Sequence, residues 1–136
     1  MRFVADVHLH SRYARATSRD LNPENLHRWS ALKGITVVGT GDFTHPAWLE
    51  ELQEKLEPAE EGLYQLKKLW RESVEAQLPP SCLAQVRFVL SVEISSIYKK
   101  NGRTRKVHNV VVMPGFTEVE ALNCRLGAIG NLKSDG

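Results

Sequence analysis

Three short apolar runs, each followed by residues that bind metals or protons, most constrain what this chain can fold into. The first, residues 3 to 10, alternates Phe3, Ala5, Val7 and Leu9 with Val4, Asp6, His8 and His10, the period-2 signature of a strand. The second is Ile35 to Gly39, and the third Val86 to Val92, ending at Glu93. Helical patterns lie between them. Asn22-Pro23 reads as an N-cap with proline in the first turn, Leu26, Trp29 and Leu32 recur at helical spacing, and Gly34 supplies the stop. Pro46 opens a second helix through Trp48, Leu49, Leu52 and Leu56, ended by Glu57-Pro58.

Beyond this β, α, β, α pattern, Leu66, Leu69, Trp70 and Val74 suggest a helix that Pro79-Pro80 breaks. Ile94 to Tyr98 prolongs the third strand, Asn101-Gly102 marks a hairpin, and Val107 to Met113 returns. Thr117 to Ile129 closes with an amphipathic helix whose start carries Thr117 and Glu120 as a capping box. Helices alternating with doubly buried apolar strands imply an α/β fold built on a mainly parallel sheet or barrel. The chain ends in LGAIGNLKSDG, turn-forming residues where a further strand is expected, so the 136 residues read as part of a domain.

Composition narrows the classes. With 42% hydrophobic and 25% charged residues, the chain is too apolar for disorder and too charged for a membrane protein. No run of about 18 apolar residues exists, and Asp6 and two histidines interrupt any amino-terminal signal core, so a cytoplasmic location without membrane attachment is expected. Cys82 and Cys124, far apart and outside any CxxC, read as reduced thiols. A net charge of +2 excludes a histone-like polycation, leaving local basic clusters as the source of any nucleic-acid affinity. These are Arg12, Arg15 and Arg19 after the first strand, and Lys99, Lys100, Arg103, Arg105 and Lys106 around the hairpin. Phosphodiester recognition needs such donors, although charged hairpin tips also serve solubility alone.

His8 and His10 stand about 6.6 Å apart along one strand face, so both imidazoles can reach one cation at bonds of about 2.0 to 2.1 Å. Asp6, one step earlier on that face, is placed to orient an imidazole. Alone, HxH is also the pattern of two half-exposed polar residues. Repetition favours the ligand reading, because Asp42 and His45 follow the second run and Glu93 the third, and strand carboxyl ends are where such folds build sites. Glu93, directly after an apolar run, needs a cation or donor if buried; on an edge it would face water. His108 poses the same question, with a backbone-bonded core histidine as the alternative. Together His8, His10, Glu93 and His108 suit zinc, manganese or iron and not calcium. No P-loop, GxGxxG or GxSxG occurs, and Ser11 reads as a loop residue.

The segments ADVHLHSRYARATSRD, VVGTGDFTHPAW and VLSVEISSIYKKNGRTRKVHNVVV resemble the polymerase-and-histidinol-phosphatase (PHP) superfamily and, within it, the endonuclease Q family. The resemblance spans essentially the whole chain. It implies the amino-terminal portion of a distorted (βα)7 barrel whose strand ends hold two or three divalent ions, zinc, manganese or magnesium. By position it assigns His8, His10, Asp42, Glu93 and His108 to the metal site, with Glu93 and Asp42 catalytic. Phe43 follows Asp42 where many members have histidine, leaving His45 as a substitute ligand. The closing Asp-x-His motif and the zinc-binding cysteines have no counterpart, which implies a C-terminally truncated member. The implied activity is metal-dependent nicking of DNA 5′ of a deaminated or damaged base, with the arginine and lysine clusters on the backbone. The competing expectations are a small-molecule phosphatase of the histidinol-phosphate kind and a non-catalytic fragment that binds metal or DNA.

Overall fold

The computed structural model describes residues 2–133. At its centre three strands lie parallel in the order β1 (Ala5–Asp6), β2 (Val37–Gly39) and β5 (Arg87–Lys100), with Ala5 beside Val37 and Val37 beside Arg87. On the other side of the foot of β5, β4 (Tyr64–Leu66) pairs antiparallel through Tyr64 and Phe88, and β3 (Leu56–Pro58) lies antiparallel outside it. Farther along, β5 leaves this array and pairs with β6 (Arg103–Met113), from Leu90–Met113 to Lys100–Arg103. The sheet is therefore mixed, with antiparallel pairings at β3–β4, β4–β5 and β5–β6, and not mainly parallel. Connection length explains two of these three pairings. The β3–β4 link spans residues 59–63 and the β5–β6 link only Asn101-Gly102, and links this short can join only antiparallel neighbours.

The helices follow their sequence signals closely. In α1 (Pro23–Lys33) the Asn22 side chain accepts the Asn25 N–H at 2.8 Å, and Gly34 closes the helix at φ 72°. Leu26 is buried, but Trp29 is half exposed. The next helix, α2 (Pro46–Lys55), stops before Glu57-Pro58 as expected, while Leu56 to Pro58 goes on as strand. α3 (Lys68–Glu75) ends ahead of Pro79-Pro80. α4 (Phe116–Gly127) departs from expectation: Gly115 is its N-cap, no side chain caps it, and Glu120 instead accepts the Gln53 amide at 2.8 Å, tying α4 to α2. The expected strand from Phe3 to His10 forms a ladder only over Ala5–Asp6; the chain beyond lies against the end of β2 and the turn after it, outside any ladder. Ser134, Asp135 and Gly136, the end of the turn-forming tail, lie outside the described residues.

Trp48, Phe43, Leu52, Leu66, Phe88 and Leu90 are fully buried at the centre of the core. Trp48 seats its ring there while its indole N–H donates to the Gly41 carbonyl at 2.9 Å, so its one polar atom is satisfied. Cys82 and Cys124 are free thiols. Among the described residues no helix is long and apolar enough to cross a membrane.

His27 on α1 is 1% exposed, packs near Phe88, and has both ring nitrogens buried without a protein partner. Burial, helped by the Arg71 and Arg87 charges, lowers its pKa to about 4. An unfolded histidine titrates near 6.5. Between these values the unfolded chain takes up a proton that the folded chain refuses, so stability is complete above pH 6.5 and declines as pH falls towards 4. The full effect is about 3 kcal/mol. Urea melts of wild type at pH 7.5 and 4.5 are expected to show this loss, and His27→Leu to flatten it; an equal pH dependence in both proteins would refute the assignment.

Candidate metal centre

The site begins with two glycines. A Cβ on Gly39 would lie 2.6 Å from both the Val7 carbonyl oxygen and Ser91 Oγ, and one on Gly41, at φ 65°, would strike the Leu9 carbonyl. Their bare backbones let residues 7–10 lie directly on the turn after β2. Buried Ser91 and Thr40 secure that turn to β5: Ser91 Oγ accepts the Gly41 N–H, and Thr40 Oγ1 accepts the Ser91 N–H, both at 3.0 Å. Asp42 follows in the left-handed region, at φ 44°, which aspartate tolerates better than most residues. Because β1, β2 and β5 are parallel, their carboxyl ends share one edge. His10 and Asp42 each stand five residues past the paired Ala5 and Val37, and Glu93 six past Arg87.

This places three imidazoles on one carboxylate. Glu93 Oε2 lies 3.0 Å from His8 Nε2 and 3.3 Å from His10 Nε2, and Oε1 contacts His108 Nδ1, which the β5–β6 register carries back to the site. Hydrogen bonding from His8, then from His108, holds the Glu93 carboxyl below the usual carboxylate range against the opposing effect of burial. The nitrogen and oxygen donors of His8, His10 and Glu93 all lie within 4.8 Å of one another. Two ligands each about 2.1 Å from one ion at a tetrahedral angle are ~3.4 Å apart. The observed 3.0 and 3.3 Å spacings fit that requirement, and two imidazoles with a carboxylate suit a borderline divalent ion.

Asp42 stands behind this group, not in it. Its Oδ1 lies 3.2 Å from His10 Nδ1 and its Oδ2 accepts the Ser11 N–H at 2.5 Å, so it fixes the His10 ring with Nε2 turned to Glu93. Asp6, expected to orient an imidazole, instead accepts the His8 backbone N–H at 3.3 Å. His45 does not join the donor cluster. Its ring stacks on Tyr13, with centroids 4.5 Å apart, its Nδ1 is buried, and burial lowers its pKa despite the Asp42 charge. It does line the same cleft, of about 260 Å³, with Tyr13, His10, Asp42, Glu93 and His108.

Of the first basic cluster, Arg12 is committed elsewhere. It donates to Glu51 at 2.6 Å, and Glu51 also takes Lys55, which reaches Glu24 at 2.7 Å. Arg15 and Arg19 are exposed, as are all five cations of the hairpin. Sequence reasoning passed over Glu51, Ser91 and Tyr13. Glu51 carried a signal: it shares a helical face with the apolar Trp48 and Leu52, where a carboxylate requires partners.

No protein-family model matches the chain. An uncharacterized protein of Methanocaldococcus jannaschii is 49% identical over 49 residues, 36% of this chain and 6% of that protein. The crystal structure of the lesion-specific endonuclease PfuEndoQ from Pyrococcus furiosus superposes over 96% of this chain and 27% of its own, with TM-score 0.67 and 23% identity. Endonuclease Q in complex with a 27-mer duplex substrate carrying an abasic lesion at the active site superposes over 97% and 28%, with TM-score 0.69 and 25% identity. The fold is thus endonuclease Q-like, and the chain spans little more than a quarter of those solved chains.

If the donors act as placed, purified protein will bind close to stoichiometric Zn²⁺ or Mn²⁺ by elemental analysis, and His10→Ala or Glu93→Gln will carry little. Asp42→Asn will keep the ligands but weaken affinity about 10- to 100-fold, the effect of losing an orienting carboxylate. Equal metal in wild type and His10→Ala would refute the centre.

Proposed function

We propose that this chain forms the metal-binding part of a DNA endonuclease of the endonuclease Q type, the amino-terminal portion of a PHP barrel that nicks DNA 5′ of a deaminated or damaged base. The observation that carries the proposal is the meeting of His8, His10, Glu93 and His108 at the strand ends of a fold shared with endonuclease Q. When bound, a divalent ion supplies Lewis-acid stabilisation of phosphate charge and acidifies water. The chain's own residues prepare the place. Glu93 gathers the three imidazoles, Asp42 fixes His10 in the tautomer and orientation that present Nε2, and the Gly39–Gly41 turn holds both at the same edge. Arg15 and Arg19, in the loop that follows His10, are the cations of the first cluster that approach the DNA backbone.

Two features favour a polymeric substrate over a small phosphomonoester. His8 and His108 are half exposed at the centre, and the basic hairpin continues from it well beyond the reach of one phosphate. The solved neighbour held a duplex with an abasic lesion, which makes weakened base pairs the first substrates to test.

Labelled duplexes differing only in one inosine, uracil or abasic site, assayed with Mn²⁺, Mg²⁺ or Zn²⁺ and with chelator, provide that test. The expected product is a nick 5′ of the lesion with a 3′-hydroxyl, abolished by chelator and by Glu93→Gln. Hydrolysis of small phosphomonoesters with DNA left intact would transfer the assignment to a phosphatase. Metal and DNA binding without any turnover would show that the 136 residues bind but do not cut.

A further inference from the structure

We infer that the β5–β6 hairpin guides the DNA backbone away from the metal centre on one face only, through Lys99 and Lys106, while Lys100, Arg103 and Arg105 take no part. The inference rests on the DNA-directed reading above and names the positioning residues within it.

From Ile94 to Met113 the sequence holds five lysines and arginines and no aspartate or glutamate. Every residue from Ser95 to Val110 is exposed, and among the described residues none of the five cations pairs with a carboxylate. The arm therefore carries uncompensated positive charge. Asn101 and Gly102, both at positive φ, close the two-residue turn that fixes its register. In an antiparallel pair, residues opposite one another share a face and successive residues alternate. Ser95 pairs with His108, Ile97 with Lys106 and Lys99 with Thr104, so these pairs share the face of Glu93. Tyr98 with Arg105 and Lys100 with Arg103 occupy the opposite face.

Rows on one face are about 6.8 Å apart, which puts Lys106 one row beyond His108 and Lys99 two rows beyond it. Phosphates on one strand of duplex DNA rise only about 3.4 Å along the helix axis but, because the strand winds, lie roughly 7 Å apart in space, so successive rows match successive phosphates. A phosphate at the metal centre would thus be followed by contacts about one and two nucleotides along the strand. Lysine suits this work, because a compact charge on a flexible stem follows a phosphate without demanding fixed geometry. Charge placed only for solubility would not distinguish the faces, and by that account the opposite face, with three cations to two, would matter more.

The experiment compares Lys99→Gln/Lys106→Gln with Lys100→Gln/Arg103→Gln/Arg105→Gln in the full chain, reading binding to a labelled duplex by anisotropy across a salt series. Loss of two phosphate contacts is expected to reduce the slope of log affinity against log salt by about 1.8 in the first variant. The second should retain the wild-type slope despite losing more charge. Lys99→Arg/Lys106→Arg should restore the slope, which separates lost charge from lost folding, and metal content should be unchanged throughout. If the opposite-face variant loses as much or more, the one-face track is wrong while the endonuclease assignment stands. If metal-loaded wild type binds no DNA, the assignment falls and the track with it.

Discussion

The Val7 and Leu9 carbonyls occupy the space that Cβ atoms on Gly39 and Gly41 would need, and the candidate centre depends on that contact. Side chains at either position would push the segment bearing His8 and His10 off the β2 turn. The contact also brings Ser11 within reach of Asp42, whose other oxygen then meets Nδ1 of His10. A steric allowance at two glycines thus becomes an orientation at an imidazole. Ser91 and Thr40 make the arrangement rigid, since each exchanges hydrogen bonds across the buried junction between the β2 turn and β5. Asp42 and Glu93 are therefore held by a hydrogen-bonded junction, and the His8–His10 segment lies against it, as a preorganised site requires.

Charge is distributed with similar economy. Glu51, 7% exposed on α2, would be costly if left alone, and it is met by both Arg12 and Lys55. Lys55 also reaches Glu24 on α1, so a single partly buried network joins the loop after His10 to two helices. This draws Arg12 away from the cleft and anchors the segment that carries Tyr13. Tyr13 in turn stacks on His45, which explains why the histidine expected as a substitute ligand serves as part of the cleft wall.

What could be read from the sequence follows from how local each determinant is. Asn22, Pro23 and Gly34 act within a few residues of themselves, and α1 is where they place it. The period-2 pattern put His8 and His10 on one face, and both side chains meet Glu93 although the ladder covers only Ala5–Asp6. Asp6 shares the period but not the contact, since its side chain turns to the backbone of His8. The β3–β4 hairpin was not legible: Leu56 continues the apolar spacing of α2 although it already belongs to β3, and Glu57-Pro58 reads as a helix stop whether or not a strand follows. Thr117 and Glu120 match a capping box in spacing, but the helix starts a residue earlier at Phe116, and Glu120 is drawn to Gln53 on α2. In α4 a tertiary contact overrides a local signal, whereas at Asp6 a nearer local partner wins.

The antiparallel β6 also accounts for how a distant residue completes a site otherwise built at the ends of parallel strands. His8, His10, Asp42 and Glu93 arrive because β1, β2 and β5 point the same way; His108 arrives because its strand runs back. Delivering it requires a hairpin long enough to extend past the centre, and such a hairpin exposes Ile97, Val107 and Val110 with little packed against them. Long exposed strands with apolar side chains invite pairing with other chains, and lysine and arginine on the strand are a usual protection. On the face away from the centre, Lys100, Arg103 and Arg105 meet that need regardless of any ligand. On the face that carries Glu93 and His108, Lys99 and Lys106 lie in line with the candidate centre, so the register keeps the two sets of cations on separate faces.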